Sequence, residues 1–232
     1  MKGEKNMPSY YTHSAVCKKG TLKNRSFVLG VEAPDLLKKY IKLYGSEKAG
    51  AKFNVLRTKL TPEYSQLRIR AEQKETQENN DGLHYGVSSN PDVRACWNDF
   101  KKAGKIGPFE RGYVWHLLTD KLIYSRLDID RKFKAVLEAA GKEQKNIDEI
   151  KAVEVKKLHK DWDKINARIR DTYPEVQLTE EVRELGVVQF EEGELLYVDW
   201  DVVKDTIDYL RTFDPLNGDM DSIIEEVLSQ IR

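Results

Sequence analysis

The stretch from Asn146 to Thr172 constrains this chain more than any other. Ile150, Leu158, Trp162, Ile165 and Ile169 fall on one face of a helix, with 4-3-4 spacing from Leu158 onward. Asn146, followed three residues later by Glu149, is an N-terminal capping signature. One long helix is therefore predicted, able to seat against a partner helix but too short to be a coiled coil. Its polar side carries Lys156, Lys157, Lys160, Lys164, Arg168 and Arg170. Such a helix must bury its stripe against a sizeable core, and 232 residues are enough to build one. A hydrophobic fraction of 40% and a charged fraction of 34% are globular values, on the charge-rich side.

Around that helix the period of the pattern changes. Residues 10–18 and 25–32 read as two strands, with Phe27, Leu29 and Val31 on one face, joined by a turn containing Gly20 and Asn24. Ala33-Pro34-Asp35 reads as the opening of a helix that ends before Gly45. Residues 52–60 and 65–72 read as two further strands, the second placing Arg68 and Arg70 on a polar face. Asn90-Pro91-Asp92 opens a helix to about Lys102, and 110–140 is helical in pattern. Thr179 caps a short acidic helix that stops at Gly186, VVQF-EEGE-LLYV reads as a β-hairpin, and Asp199 and Asp219 or Asp221 cap two last helices.

The fold class expected is α+β. It has a small antiparallel-type N-terminal sheet with a helix on one face, a helical middle, and C-terminal helices with a β-hairpin. The expected segments are a basic β-β-α-β-β unit over 1–72, a polar loop or linker over 73–91, a helical region over 92–178, and an acidic helix-hairpin-helix module over 179–232.

The formal net charge of zero hides a split. Residues 1–72 hold 15 basic and 6 acidic side chains, a net of +9, whereas 179–232 hold 15 acidic and 4 basic, a net of −11. Either the basic end meets a polyanion, or the two ends attract each other within the fold. No run approaches the ~18 apolar residues of a membrane span. The N-terminus has no apolar signal region, and Cys17 and Cys96 make no disulfide framework, so a cytoplasmic setting without membrane contact is expected.

No phosphate-binding glycine loop, GxSxG, HExxH or calcium loop is present. His13, Cys17, His84 and Cys96 have the right types for zinc but not the spacing of a zinc finger or knuckle, so neither metal nor cofactor is expected, and the cysteines read as small buried hydrophobes. His13-Ser14-Ala15 and His84-Tyr85-Gly86 both miss the His-x-Ser/Thr pattern of two-histidine phosphoesterases. His116 reads as core, and His159 as solvated.

The leading functional expectation is a non-enzymatic binding protein that grips RNA or single-stranded DNA. Lys18, Lys19, Lys23, Arg25, Arg57, Lys59, Arg68 and Arg70 would supply the phosphate contacts. Glu191, Glu192 and Glu194 would face a basic protein surface or regulate the basic face. The alternatives are a protein–protein inhibitor or adaptor, and an enzyme acting on a phosphate ester or nucleotide through His13 or His84. Convergence of those two histidines in one pocket with Arg68 or Arg70 separates the enzyme from the other two.

Overall fold

The computed structural model of the protein describes residues 9–36, 39, 83–87, 89–104, 106–142 and 146–231. The strands expected at 52–60 and 65–72, most of the 73–91 linker, and Arg57, Lys59, Arg68 and Arg70 lie outside the described residues.

The first expected hairpin is instead two helices. Helix α1 spans Tyr10–Ala15, and Ser9 caps it by accepting the Thr12 amide. After a 3-10 turn at Thr21–Lys23, helix α2 occupies 25–36. Asn24, read as a turn residue, is the N-terminal cap of α2: its Oδ1 accepts the Phe27 amide at 3.0 Å. Pro34 lies in the last described turn of α2 rather than opening a new helix. Apart from the exposed Arg25 and the half-buried Tyr10 and Ser26, both helices are buried, Val28 and Gly30 along with Phe27, Leu29 and Val31. A helix apolar all round has no 3.6-residue signature, and its alternate residues mimic a strand.

The only strands among the described residues are β1 (Gly86–Val87) and β2 (Asn90–Pro91), an antiparallel pair with Gly86 opposite Pro91. Helix α3 (Val93–Lys102) follows, capped by Asp92. Helix α4 (Pro108–Leu127) starts with proline in its first turn and is almost wholly buried. Helices α5 (Ile129–Lys142) and α6 (Ile147–Thr172) pack together, and Asn146 caps α6 as expected. The short helix α7 spans Glu180–Leu185, and α8 (Trp200–Leu210) and α9 (Met220–Ser229) are capped by Asp199 and Asp219. The described residues are therefore mostly helical, with one small two-stranded sheet.

The hairpin expected at VVQF-EEGE-LLYV does not form, because α6 takes up its backbone groups. Asp161 Oδ2 accepts the amides of Leu196, Tyr197 and Val198 at 2.8, 2.6 and 3.1 Å. Asn166 donates to the Gln189 carbonyl at 2.9 Å, and the Glu191 amide donates to the Asp163 carbonyl at 3.1 Å. With those groups satisfied, a partner strand has nothing left to bind.

Helix α4 is the axis of the molecule, packed against α3, α8, α9 and β2. It meets α2 through two glycines. A Cβ at Gly30 would stand 2.1 Å from the Phe109 carbonyl oxygen, and one at Gly112 would stand 2.1 Å from that of Phe27. The two backbones approach this closely only because neither residue has a side chain. One apolar cluster runs from Tyr11 to Val227 and takes in side chains of α1, α2, α3, α4, α6, α8 and α9.

Candidate metal centre

The α2–α4 crossing places polar side chains where an apolar core would be expected. His116 and Asp120 lie one turn apart in the middle of α4, and both are fully buried. Asp35 arrives on the last described turn of α2, and His13 on the last turn of α1. His84 stands just before β1 and is followed by Tyr85, a non-glycine residue in the left-handed region at φ 51°. The Tyr113 hydroxyl on α4 donates to the carbonyl of Leu83, next to His84, and so fastens that segment to the axis.

Three imidazoles and two carboxylates thus converge. His13 Nε2 lies 3.3 Å from Asp120 Oδ1 and 3.8 Å from Asp35 Oδ2. His84 Nε2 lies 3.6 Å from Asp35 Oδ1 and 3.7 Å from Asp120 Oδ2. His116 Nε2 lies 3.3 Å from Asp120 Oδ2 and 3.3 Å from His84 Nε2. The rings of His13 and His116 stack, with centroids 3.8 Å apart and planes 19° apart. These separations are those of neighbouring ligands on one ion, since donors ~2.0–2.2 Å from a tetrahedral cation stand about 3.3–3.6 Å from each other.

The protonation pattern points the same way. His116 Nδ1 lies 2.7 Å from the Val31 carbonyl oxygen, which can only accept, so Nδ1 carries the proton. In the neutral ring Nε2 then turns a bare lone pair toward the carboxylates, the arrangement a metal-ligating histidine requires. Both ring nitrogens of His13, both carboxylate oxygens of Asp120 and Oδ1 of Asp35 are buried without a hydrogen-bond partner. Across the cluster the imidazole Nε2 atoms lie 3.3–3.8 Å from the neighbouring carboxylate oxygens. Burial alone would raise the carboxyls of Asp35 and Asp120, yet the neighbouring imidazoles hold both below their ordinary value: His84, His116 and His13 act on Asp35, and His116 and His13 on Asp120. Two buried carboxylates cost several kcal/mol each unless a cation neutralises them.

Two overlapping sets meet the spacing for a bound ion: His13, Asp35 and His116, and His84, His116 and Asp120. Neither includes a cysteine, and Cys17 and Cys96 are buried and free. Burial pushes both thiols up, so they stay protonated and poor as ligands.

The chain matches no protein-family model, no curated protein and no solved structure.

Those of the expected contact residues that are described lie elsewhere. Lys18 donates to the Thr212 carbonyl at 2.8 Å, and Arg25 is paired with Glu181. Lys19 and Lys23 are exposed. Glu191 lies 3.7 Å from Lys160, Lys164 Nζ donates to the Glu194 carbonyl at 2.5 Å, and Glu192 is exposed. In these pairs the basic and acidic segments meet inside the molecule. Of the four zinc candidates on paper, the structure brings together His13 and His84 and leaves out both cysteines. His116, read as core, stands at the centre of the cluster. Its signal was the His116–Asp120 pair at one-turn spacing in an otherwise apolar helix, since a buried polar residue is the informative exception in a core.

Proposed function

We propose that this chain is a divalent-metal-dependent hydrolase, with phosphate esters as the first substrate class to test. The observation that carries the reading is the convergence of His13, Asp35, His84, His116 and Asp120 at ligand-to-ligand spacing in two overlapping sets. Donor type supports catalysis over scaffolding: structural zinc sites are closed, four-coordinate and rich in cysteine, whereas catalytic sites use histidine and carboxylate and keep a position for water. Here five oxygen and nitrogen donors are available and no thiolate takes part. A bound divalent ion supplies an activated water at neutral pH and stabilises charge on a phosphoryl oxygen. The Val31 carbonyl fixes the His116 tautomer, and Asp35 and Asp120 would balance the charge of a bound ion. Phosphate esters come first because carboxylate- and imidazole-held divalent ions suit in-line displacement at phosphorus.

The nucleic-acid reading has less behind it, since Lys18 and Arg25 already have partners within the chain. The test is metal content after reconstitution with zinc or manganese, followed by hydrolysis of chromogenic phosphate mono- and diesters with and without chelator. Stoichiometric metal and chelator-sensitive hydrolysis are expected. A folded protein that retains no metal would sink the reading, and bound metal without hydrolysis would reduce the site to a structural one.

A further inference from the structure

A further buried carboxylate lies close to the five, on the helix that carries Asp35. Glu32 on α2 is fully buried, one turn before Asp35. Its Oε1 accepts the hydroxyl of Ser14 at 3.2 Å and the amide of Thr179 at 3.1 Å, and its Oε2 accepts the hydroxyl of Thr179. Ser14 follows His13 directly on α1. Thr179 holds the N-cap position of α7, yet its side chain makes no capping bond there and reaches Glu32 instead. The expected capping role of Thr179 is thus displaced by this contact.

We propose that Glu32 is a positioning residue of the metal centre: it clamps α1 to α2 and so holds His13 at ligand distance from Asp35 and Asp120. The proposal rests on the metal-centre reading. Helix α1 has six residues, far too few to be stable by itself, so the position of His13 is set by whatever anchors that helix. Its described side-chain anchors are Ser9 Oγ on Asn166 of α6, Tyr11 OH on the Val176 carbonyl at 3.3 Å, and Ser14 on Glu32. Of these, the Ser14 bond alone ties it to α2, the helix that carries Asp35 and the Val31 carbonyl. A fully buried carboxylate is a costly way to join two helices, and an apolar pair would serve stability as well. What the carboxylate adds is geometry, because three donors on two oxygens leave it one orientation. Thr179 fixes it from the far side and presents it to Ser14.

The experiment measures zinc affinity by chelator competition, with thermal unfolding of the metal-free proteins alongside, for wild type, Ser14→Ala, Glu32→Gln, Glu32→Leu and Thr179→Val. Ser14→Ala and Glu32→Leu are expected to weaken zinc binding about ten-fold or more, the scale of an outer-shell loss. Glu32→Gln keeps the shape, and the hydroxyls can turn to meet its amide, so it is expected to bind zinc much as wild type does. Thr179→Val keeps the amide that donates to Glu32 Oε1 and loses the hydroxyl, so it is expected to lower stability and to weaken zinc binding less than Ser14→Ala does. In a His13→Ala background Ser14→Ala should weaken zinc binding no further, a coupling that general loss of stability would not produce. Should Glu32→Leu fail to fold, Ser14→Ala carries the test. Wild-type zinc affinity in folded Ser14→Ala would overturn the positioning role and leave the metal centre standing. Wild-type protein that takes up no zinc would overturn both.

Discussion

At the scale of single residues, the molecule is governed by what its buried charges face. His116 donates through Nδ1 to a backbone carbonyl and offers Nε2 to the cluster, so its ring has one role to play. Replacing it by alanine removes a direct ligand. The zinc affinity lost should exceed the ten- to hundred-fold typical of an outer-shell partner, read by chelator competition. Glu32 gives a pH dependence with a definite sign. Its carboxyl is pushed up to about 7 by burial, against hydrogen bonds from Thr179 and Ser14 and with help from the nearby charge of Glu181. Arg25 is engaged with Glu181, and the adjacent Cys17 thiol stays neutral. Between the ordinary 4.5 and about 7, the folded chain holds a proton that the unfolded chain has released. Glu32 therefore lowers stability progressively as pH rises through that window. Glu32→Gln cannot ionise, so the stability of wild type relative to the variant should fall by up to about 3 kcal/mol between pH 5 and pH 8. Urea unfolding of the metal-free proteins at the two pH values measures this, and equal differences at both would refute it.

At the scale of elements, two contacts do most of the arranging. The α2–α4 crossing depends on Gly30 and Gly112, each facing a carbonyl oxygen 2.1 Å from where a Cβ would stand. Backbone cannot yield as a flexible side chain can. Gly30→Ala and Gly112→Ala should each cost at least about 1–3 kcal/mol, the usual penalty of overpacking, in urea unfolding. Both should also weaken metal binding, because the same crossing sets the distance from Val31 and Asp35 to His116. The second contact is the clasp of Asp161 on α6 around the amides of 196–198. Asp161→Ala leaves three amides without their charged acceptor and should destabilise the fold by about 3 kcal/mol or more. It should leave the metal centre intact, since that centre draws on α1, α2, α4 and the segment before β1.

At the scale of the whole molecule, the acidic C-terminal segment is met by cations from elsewhere in the chain, one of them from the basic 1–72 segment. Arg94 pairs with Glu225 and Lys101 with Asp221, which links α3 to α9, and Arg25 pairs with Glu181. The first two pairs are exposed at both partners and contribute little individually. Arg94→Ala should leave the urea midpoint at low salt nearly unchanged. The cluster of histidines and carboxylates lies apart from these pairs. No described helix is long and apolar enough to cross a membrane.

By itself the sequence determined the elements whose ends are made locally. Asn146, Asp199 and Asp219 each accept an amide within three residues along the chain, and α6, α8 and α9 begin at those expected caps. Of the expected Asn90-Pro91-Asp92 opening, only Asp92 serves α3, as its cap, and Asn90–Pro91 form β2. Residue type alone also settled the fate of the cysteines, which are buried and unpaired. Tertiary structure alone decided α1 and α2, because near-complete burial erases the period that tells a helix from a strand. It likewise decided the segment 187–198, whose alternation suited a hairpin but whose amides found nearer acceptors on α6. The candidate centre belongs to the same class. Its five residues are spread from His13 to Asp120 over four segments, and no spacing rule connects them. They meet because two glycines let α2 and α4 touch, and because a buried carboxylate must lie beside something that can neutralise it.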